Sequence, residues 1–78
     1  MDPQTGRSAE ALDLRALPPP EPMLAIQAAL AGMAVGETLE ALLARRPVYF
    51  LPHLERAGHA CTLEQLDPDT WKLTVTKA

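Results

Sequence analysis

The sequence is poor in cysteine and in aromatic residues. Cys61 is the only cysteine among 78 residues, so no internal disulfide can form. Trp, Tyr and Phe occur once each, and we therefore expect a core built from aliphatic side chains. Because a single unpaired thiol is typical of proteins in a reducing compartment, we predict a cytoplasmic location.

An excess of positive charge and a long apolar run are also missing. The formal net charge is −3, from 7 basic and 10 acidic residues. Nucleic acids and anionic membranes favour a clustered basic surface, so we expect neither as a partner. No run approaches the roughly 18 apolar residues of a membrane span, and residues 1–10 contain no apolar stretch typical of a signal peptide.

Catalytic motifs are missing as well. Ser8 is the only serine, so the chain offers no convincing serine–histidine–aspartate set, and it contains no glycine-rich phosphate loop. No pair of acidic residues has a spacing that indicates acid–base catalysis. We therefore predict a protein that is not an enzyme and that needs no cofactor.

A chain of this length forms one domain, which we place at residues 10–78 behind a flexible tail at residues 1–9. Alternation of Leu12 and Leu14 with polar neighbours predicts a first strand over residues 11–15. The prolines that follow cannot extend a strand, but proline and an acidic residue suit the first turn of a helix. A first helix is expected there, with one apolar face formed by Met23, Ile26, Leu30 and Met33.

The second half of the chain predicts a strand, a helix and a hairpin. The second strand covers residues 38–44, and a second helix begins near Phe50 and ends before Gly58. Its inner face is expected to be formed by Phe50, Leu51, Leu54 and Ala57. Two more strands are predicted at residues 59–66 and 70–77, joined by a turn at Pro68.

The element order β-α-β-α-β-β limits the possible folds. Right-handed crossovers place both helices on the same face of the sheet, and polar residues on the strands indicate that the other face is open to solvent. We predict a two-layer α/β sandwich with a four-stranded mixed sheet. The expected strand order is 1-2-4-3, with the last strand antiparallel to its neighbours.

Three motifs in this order resemble the TusA/SirA-like sulfur-carrier superfamily. They are Leu12-Asp13 on the first strand, Pro20-Glu21-Pro22 at the helix start, and Gly36-Glu37-Thr38-Leu39 before the second strand. The resemblance covers residues 12–77 and implies the same fold. It also implies a function to be tested, because members of that family carry a persulfide on the cysteine of a Cys-Pro-x-Pro motif.

The chain departs from the family at this cysteine. The motif reads Pro19-Pro20-Glu21-Pro22, so Pro19 stands where the resemblance places the reactive sulfur. Proline has no nucleophile and no backbone N–H. The sequence therefore resembles an uncharacterised, cysteine-less branch of the superfamily, with the pattern LDxR…PPEP…GETL.

The first hypothesis is a non-catalytic accessory or protein-interaction module with the carrier fold. Its predicted partner-binding residues are those of the strand-to-helix turn: Arg15, Pro19, Pro20, Glu21 and Pro22. The partner is expected to be a protein. The alternative reading of these prolines is that they only fix the turn between strand and helix.

Two other hypotheses remain open from the sequence. In one, Cys61 carries a persulfide in place of the missing cysteine, although a cysteine on the apolar face of a strand is usually unreactive. In the other, His53 and His59 bind a metal or cofactor. The spacings of His53, His59 and Cys61 match no standard zinc motif, so we predict no metal site.

Overall fold

A computed structural model describes residues 9–78, with side chains from Ala11 onward. The elements follow the order β1 (Ala9–Asp13), α1 (Glu21–Ala31), β2 (Thr38–Leu43), α2 (Phe50–Arg56), β3 (Ala60–Asp67) and β4 (Thr70–Thr76). The predicted tail lies outside the described residues, except for Ala9, which belongs to β1. The predicted fold class and element order are confirmed.

The four strands form one mixed sheet in the order β1-β2-β4-β3. β1 and β2 are parallel, whereas β4 is antiparallel to both of its neighbours. This arrangement confirms the predicted strand order. Because β1 and β2 are parallel, the turn after β1 and the loop after β2 leave the sheet at the same edge.

One side of the sheet faces the helices and forms the core. A row of apolar residues crosses all four strands through the register pairs of Leu12, Ala41, Leu73 and Leu63. Both helices contribute to this core. Its buried members are Leu14, Ile26, Leu30, Met33, Leu39, Ala41, Leu43, Phe50, Leu54, Leu73 and Val75.

The opposite face of the sheet is polar, as the strand alternation predicts. Glu64 on β3 is paired in register with Lys72 on β4, and their charged groups are 3.8 Å apart. Thr62 pairs with Thr74 on the same face. A sheet with one polar face and one apolar face needs only one layer of helices, which explains the two-layer architecture.

Several predicted boundaries are shifted. β1 ends at Asp13 rather than Arg15, because Arg15 folds back and its backbone N–H donates to the Asp13 carboxylate at 3.2 Å. Ala57 was expected on the inner face of α2, but it is exposed. The reason is that α2 ends at Arg56, and Gly58 turns the chain away with a φ of +97°.

The end of α1 is tied to β4 by Lys77. The Lys77 ammonium group donates hydrogen bonds to the carbonyl oxygens of Leu30 at 2.6 Å and Met33 at 2.8 Å. The last turn of α1 contains no basic residue of its own. Lys77 therefore supplies the positive charge that the carbonyl end of a helix favours.

The Gly36-Glu37 motif forms the connection between α1 and β2. Gly36 adopts a φ of +90°, and its N–H donates to the Lys77 carbonyl oxygen at 2.8 Å. The Glu37 carboxylate accepts a hydrogen bond from the Ala34 N–H at 2.8 Å. A glycine suits this left-handed position, because other residues adopt it at a cost.

An ion pair fixes the end of β1. The Arg15 guanidinium donates two hydrogen bonds of 2.8 Å to the two carboxylate oxygens of Asp13. These hydrogen bonds lower the pKa of Asp13 from 3.8 to about 2. The pair is exposed to solvent, so its effect on stability is modest at high salt.

The Lys77 contacts lead to a stability prediction. Replacing Lys77 by Met should lower the free energy of unfolding by about 1–2 kcal/mol, since two charge-assisted hydrogen bonds to the end of α1 are lost. The matched control is Lys72→Met, which removes only the 3.8 Å contact with the exposed Glu64 and should change the free energy of unfolding by less than about 0.5 kcal/mol. Urea unfolding measures both. Equal effects of the two substitutions would show that the Lys77 contacts do not stabilise the helix end.

The Asp13–Arg15 pair leads to a prediction about pH. Because the pKa of Asp13 is lower in the folded chain, its contribution to stability is present above pH 3.8 and is lost as the pH falls towards about 2. Asp13→Asn should therefore reduce the loss of stability over this interval. Asp69→Asn serves as the control and should leave the wild-type pH dependence in place. Unfolding curves at several pH values decide between these outcomes.

Candidate functional site

An apolar cleft lies at the edge of the sheet where β1 and β2 end. One wall is the strand-to-helix turn with the start of α1, and the other is the loop between β2 and α2 at residues 44–49. The cleft has a volume of about 290 Å³. In α/β sheets, ligands commonly bind beyond the carboxyl ends of parallel strands, which is the position of this cleft.

The lining of the cleft is almost entirely apolar. Buried core residues, including Ile26 and Phe50, form part of its surface. Its exposed large hydrophobic members are Leu17, Val48 and Tyr49, whose exposed fractions are 38%, 53% and 89%. Exposed apolar side chains that gather around a concave surface are typical of a binding site.

The start of α1 offers no free backbone donor to a ligand. Pro19, Pro20 and Pro22 have no N–H. The Glu21 N–H donates to the Pro18 carbonyl oxygen at 2.9 Å, and the Met23 N–H donates to the Pro20 carbonyl oxygen at 3.1 Å. The positive end of this helix therefore lacks the spare N–H groups through which helices usually bind anions.

Two arginines supply the positive charge of the cleft. Arg45 and Arg46 are the charged side chains among its lining residues. The guanidinium carbon of Arg46 lies 5.8 Å from the ring centroid of Trp71, which is a cation–π contact. Within residues 11–78, neither arginine forms an ion pair.

The structure divides the predicted partner-binding residues into two groups. Pro19 and Pro22 line the cleft. Pro20 precedes α1 and Glu21 is its first residue, but neither belongs to the cleft lining, and Arg15 is held by Asp13 outside it. The role of these residues in partner binding stays a prediction.

The second wall was missed by the sequence analysis. That analysis gave no functional role to the residues of this loop: Arg45, Arg46, Val48 and Tyr49. The sequence did contain a signal for this wall. Val48 and Tyr49 are adjacent apolar residues between Pro47 and the buried Phe50, and such a pair is not typical of a loop surrounded by solvent. The parallel pairing of β1 with β2 brings this loop to the turn.

Cys61 lies on β3, away from the cleft lining. It is half-buried and packs against the core. Burial raises the pKa of its thiol, and the negative charge of Glu55 adds to this effect. Its sulfur is 3.8 Å from the His59 carbonyl oxygen. A thiol whose pKa is raised is a poor nucleophile at neutral pH, because little of it is ionised.

The two histidines line a second hollow, of about 280 Å³, between α1 and α2. Each has a hydrogen-bond partner: His53 Nε2 is 3.3 Å from the Gln27 amide nitrogen, and His59 Nδ1 accepts a hydrogen bond from the Ala78 N–H at 3.1 Å. His53 also stacks on Phe50. Among the residues that the structure describes, no group of three or more His, Cys, Asp or Glu side chains could hold a metal ion.

Within residues 9–78, neither α1 nor α2 has the length and apolar character that a membrane-spanning helix needs.

Comparison with solved structures supports the fold predicted from the motifs. The chain is similar to the crystal structure of a SirA-like protein from Desulfitobacterium hafniense, with a TM-score of 0.76 and 17% sequence identity. The match covers 85% of this chain and 93% of the other. At this identity the similarity concerns the fold. Comparison with curated proteins finds no match.

Comparison with protein families gives a match over nearly the whole chain. Residues 11–77 match the family described as "Uncharacterized conserved protein (DUF2249)". The match includes both walls of the cleft, from Leu14 to Phe50, all of β2, β3 and β4, and the second half of β1. The chain therefore belongs to the DUF2249 family and has a SirA-like fold.

Proposed function

We propose that this chain is a non-catalytic protein-interaction module that binds its partner in the apolar cleft. The observation that carries the proposal is the lining of the cleft. At the helix start, where the resemblance places the sulfur of the carriers, the cleft presents Pro19 and apolar side chains. A site of this composition favours burial of an apolar surface over nucleophilic chemistry.

The alternative function, sulfur transfer through Cys61, has less support. A persulfide carrier needs a thiolate that can attack the donor and then reach the acceptor. Burial raises the pKa of the Cys61 thiol, and the residue does not line the cleft. Both observations disfavour sulfur transfer through Cys61.

The exposed part of the cleft fits a protein partner better than a polymeric anion. Tyr49 and the arginines belong to the residue types that contribute most to the energy of protein interfaces. The net charge of −3 disfavours nucleic acid and anionic membranes as partners. A cytoplasmic location and the absence of a cofactor remain part of the same proposal.

Site-specific crosslinking in cells tests the proposal. With the photoreactive residue p-benzoylphenylalanine in place of Tyr49, we expect a covalent adduct with a protein partner. Leu17→Glu on the opposite wall should reduce its yield about fivefold or more, since it places a charge in the apolar cleft. Leu24→Glu is the matched control, because Leu24 is 56% exposed and does not line the cleft. It should leave the yield unchanged.

The same crosslinker at Thr62 on the open face of the sheet is the positional control. It should give no adduct with the same partner. If capture from Thr62 equals capture from Tyr49, or if Leu17→Glu has no more effect than Leu24→Glu, the cleft is not the binding surface.

A further inference from the structure

The charged side chains that the structure describes in the cleft are all positive. Among the residues whose side chains the structure describes, 11–78, the cleft lining contains Arg45 and Arg46 and no acidic side chain. Both arginines belong to the loop between β2 and α2, and the apolar wall of Leu17, Pro19 and Pro22 stands across from them. This local positive charge occurs in a chain whose net charge is −3. It is therefore a property of the cleft and does not reflect a basic surface in general.

The positive charge of these arginines is not neutralised within the described chain. Arg15, by contrast, uses its guanidinium on Asp13 through two hydrogen bonds of 2.8 Å. Arg45 and Arg46 form no ion pair within residues 11–78. They can therefore offer their N–H groups to a bound molecule.

The position of Arg46 favours a carboxylate. Its guanidinium lies over the ring of Trp71, at 5.8 Å from the ring centroid. A cation–π contact does not require the guanidinium N–H groups to donate to an oxygen, and these N–H groups match the two oxygens of a carboxylate. The start of α1 cannot take that role, because its N–H groups are absent or already bonded and Glu21 adds negative charge there.

The exposure of the cleft favours a segment of a protein over a small molecule. Small-molecule sites usually bury most of their ligand. Here Val48 and Tyr49 remain 53% and 89% exposed, so the apolar surface continues out of the cleft. A peptide chain can fill the cleft with one side chain and cover Tyr49 with the next.

We propose that the cleft recognises a short protein segment in which apolar residues stand next to Asp or Glu. The apolar residues would fill the space between the two walls, and the carboxylates would bind Arg45 and Arg46. This inference rests on the proposed protein-interaction function and adds the chemistry of the partner to it.

A phage-displayed library of random peptides, selected on the purified chain, tests the proposal. Peptides directed to the cleft are those whose binding is lost with Leu17→Glu but kept with Leu24→Glu. We expect these peptides to be enriched in apolar residues flanked by Asp or Glu. Titration of one synthetic peptide and of its Glu→Gln, Asp→Asn version then measures the contribution of the carboxylates.

Substitutions of the arginines give the matched comparison. Arg45→Gln and Arg46→Gln should each weaken binding of the acidic peptide about fivefold, as expected for one partly exposed ion pair. Arg56→Gln is the control, because Arg56 lies on α2 outside the cleft lining and should leave the affinity unchanged. Arg45→Gln keeps the test valid if Arg46→Gln disturbs packing on Trp71.

The outcomes separate this inference from the proposed function. Cleft-directed peptides without acidic residues, with equal affinity for Arg45→Gln and wild type, would overturn the inference and leave the interaction module standing. A selection that yields no peptide sensitive to Leu17→Glu would overturn both. Preferential binding of octanoate over the acidic peptides, with the same dependence on the arginines, would replace the protein segment by a small anionic amphiphile.

Discussion

The backbone of residues 18–22 has to end β1 and begin α1, and four of these five residues are prolines. Proline cannot donate to a neighbouring strand, and its fixed φ suits the first turn of a helix. The N–H groups of Glu21 and Met23 are used within the turn itself. The same constraint that starts α1 therefore leaves the described helix start without a free backbone N–H donor, at the position where the motif resemblance places the sulfur of the carriers.

The SirA-like fold and the apolar cleft both follow from this turn. It sends the chain into α1 and back to β2, which lies parallel to β1. The loop after β2 is thereby brought against the turn, and a cleft with two walls results. One motif behind the resemblance has a structural role here, because Gly36 and Glu37 join α1 to β2. Lys77, which lies outside the three motifs, ties α1 to β4.

The fold could be predicted from the sequence because its signals are local. The alternation in β4 and the spacing of Ile26 and Leu30 each report which side faces the core, and both are confirmed. The boundary of β1 was wrong because it depends on the hydrogen bonds between Asp13 and Arg15, which a strand pattern does not contain. Half of the cleft was missed for a similar reason: the contact between residues 44–49 and the turn depends on strand pairing across the sheet.

The central proposal is that this chain has a SirA-like fold but does not carry sulfur. Incubation with a cysteine desulfurase and cysteine, followed by intact-mass measurement, tests it most directly. A sulfur carrier with an intact Cys-Pro-x-Pro motif serves as the positive control. The account predicts no sulfur adduct on the wild-type chain or on Cys61→Ser. An adduct on wild type that is absent from Cys61→Ser would contradict it and would establish Cys61 as a sulfur-carrying residue.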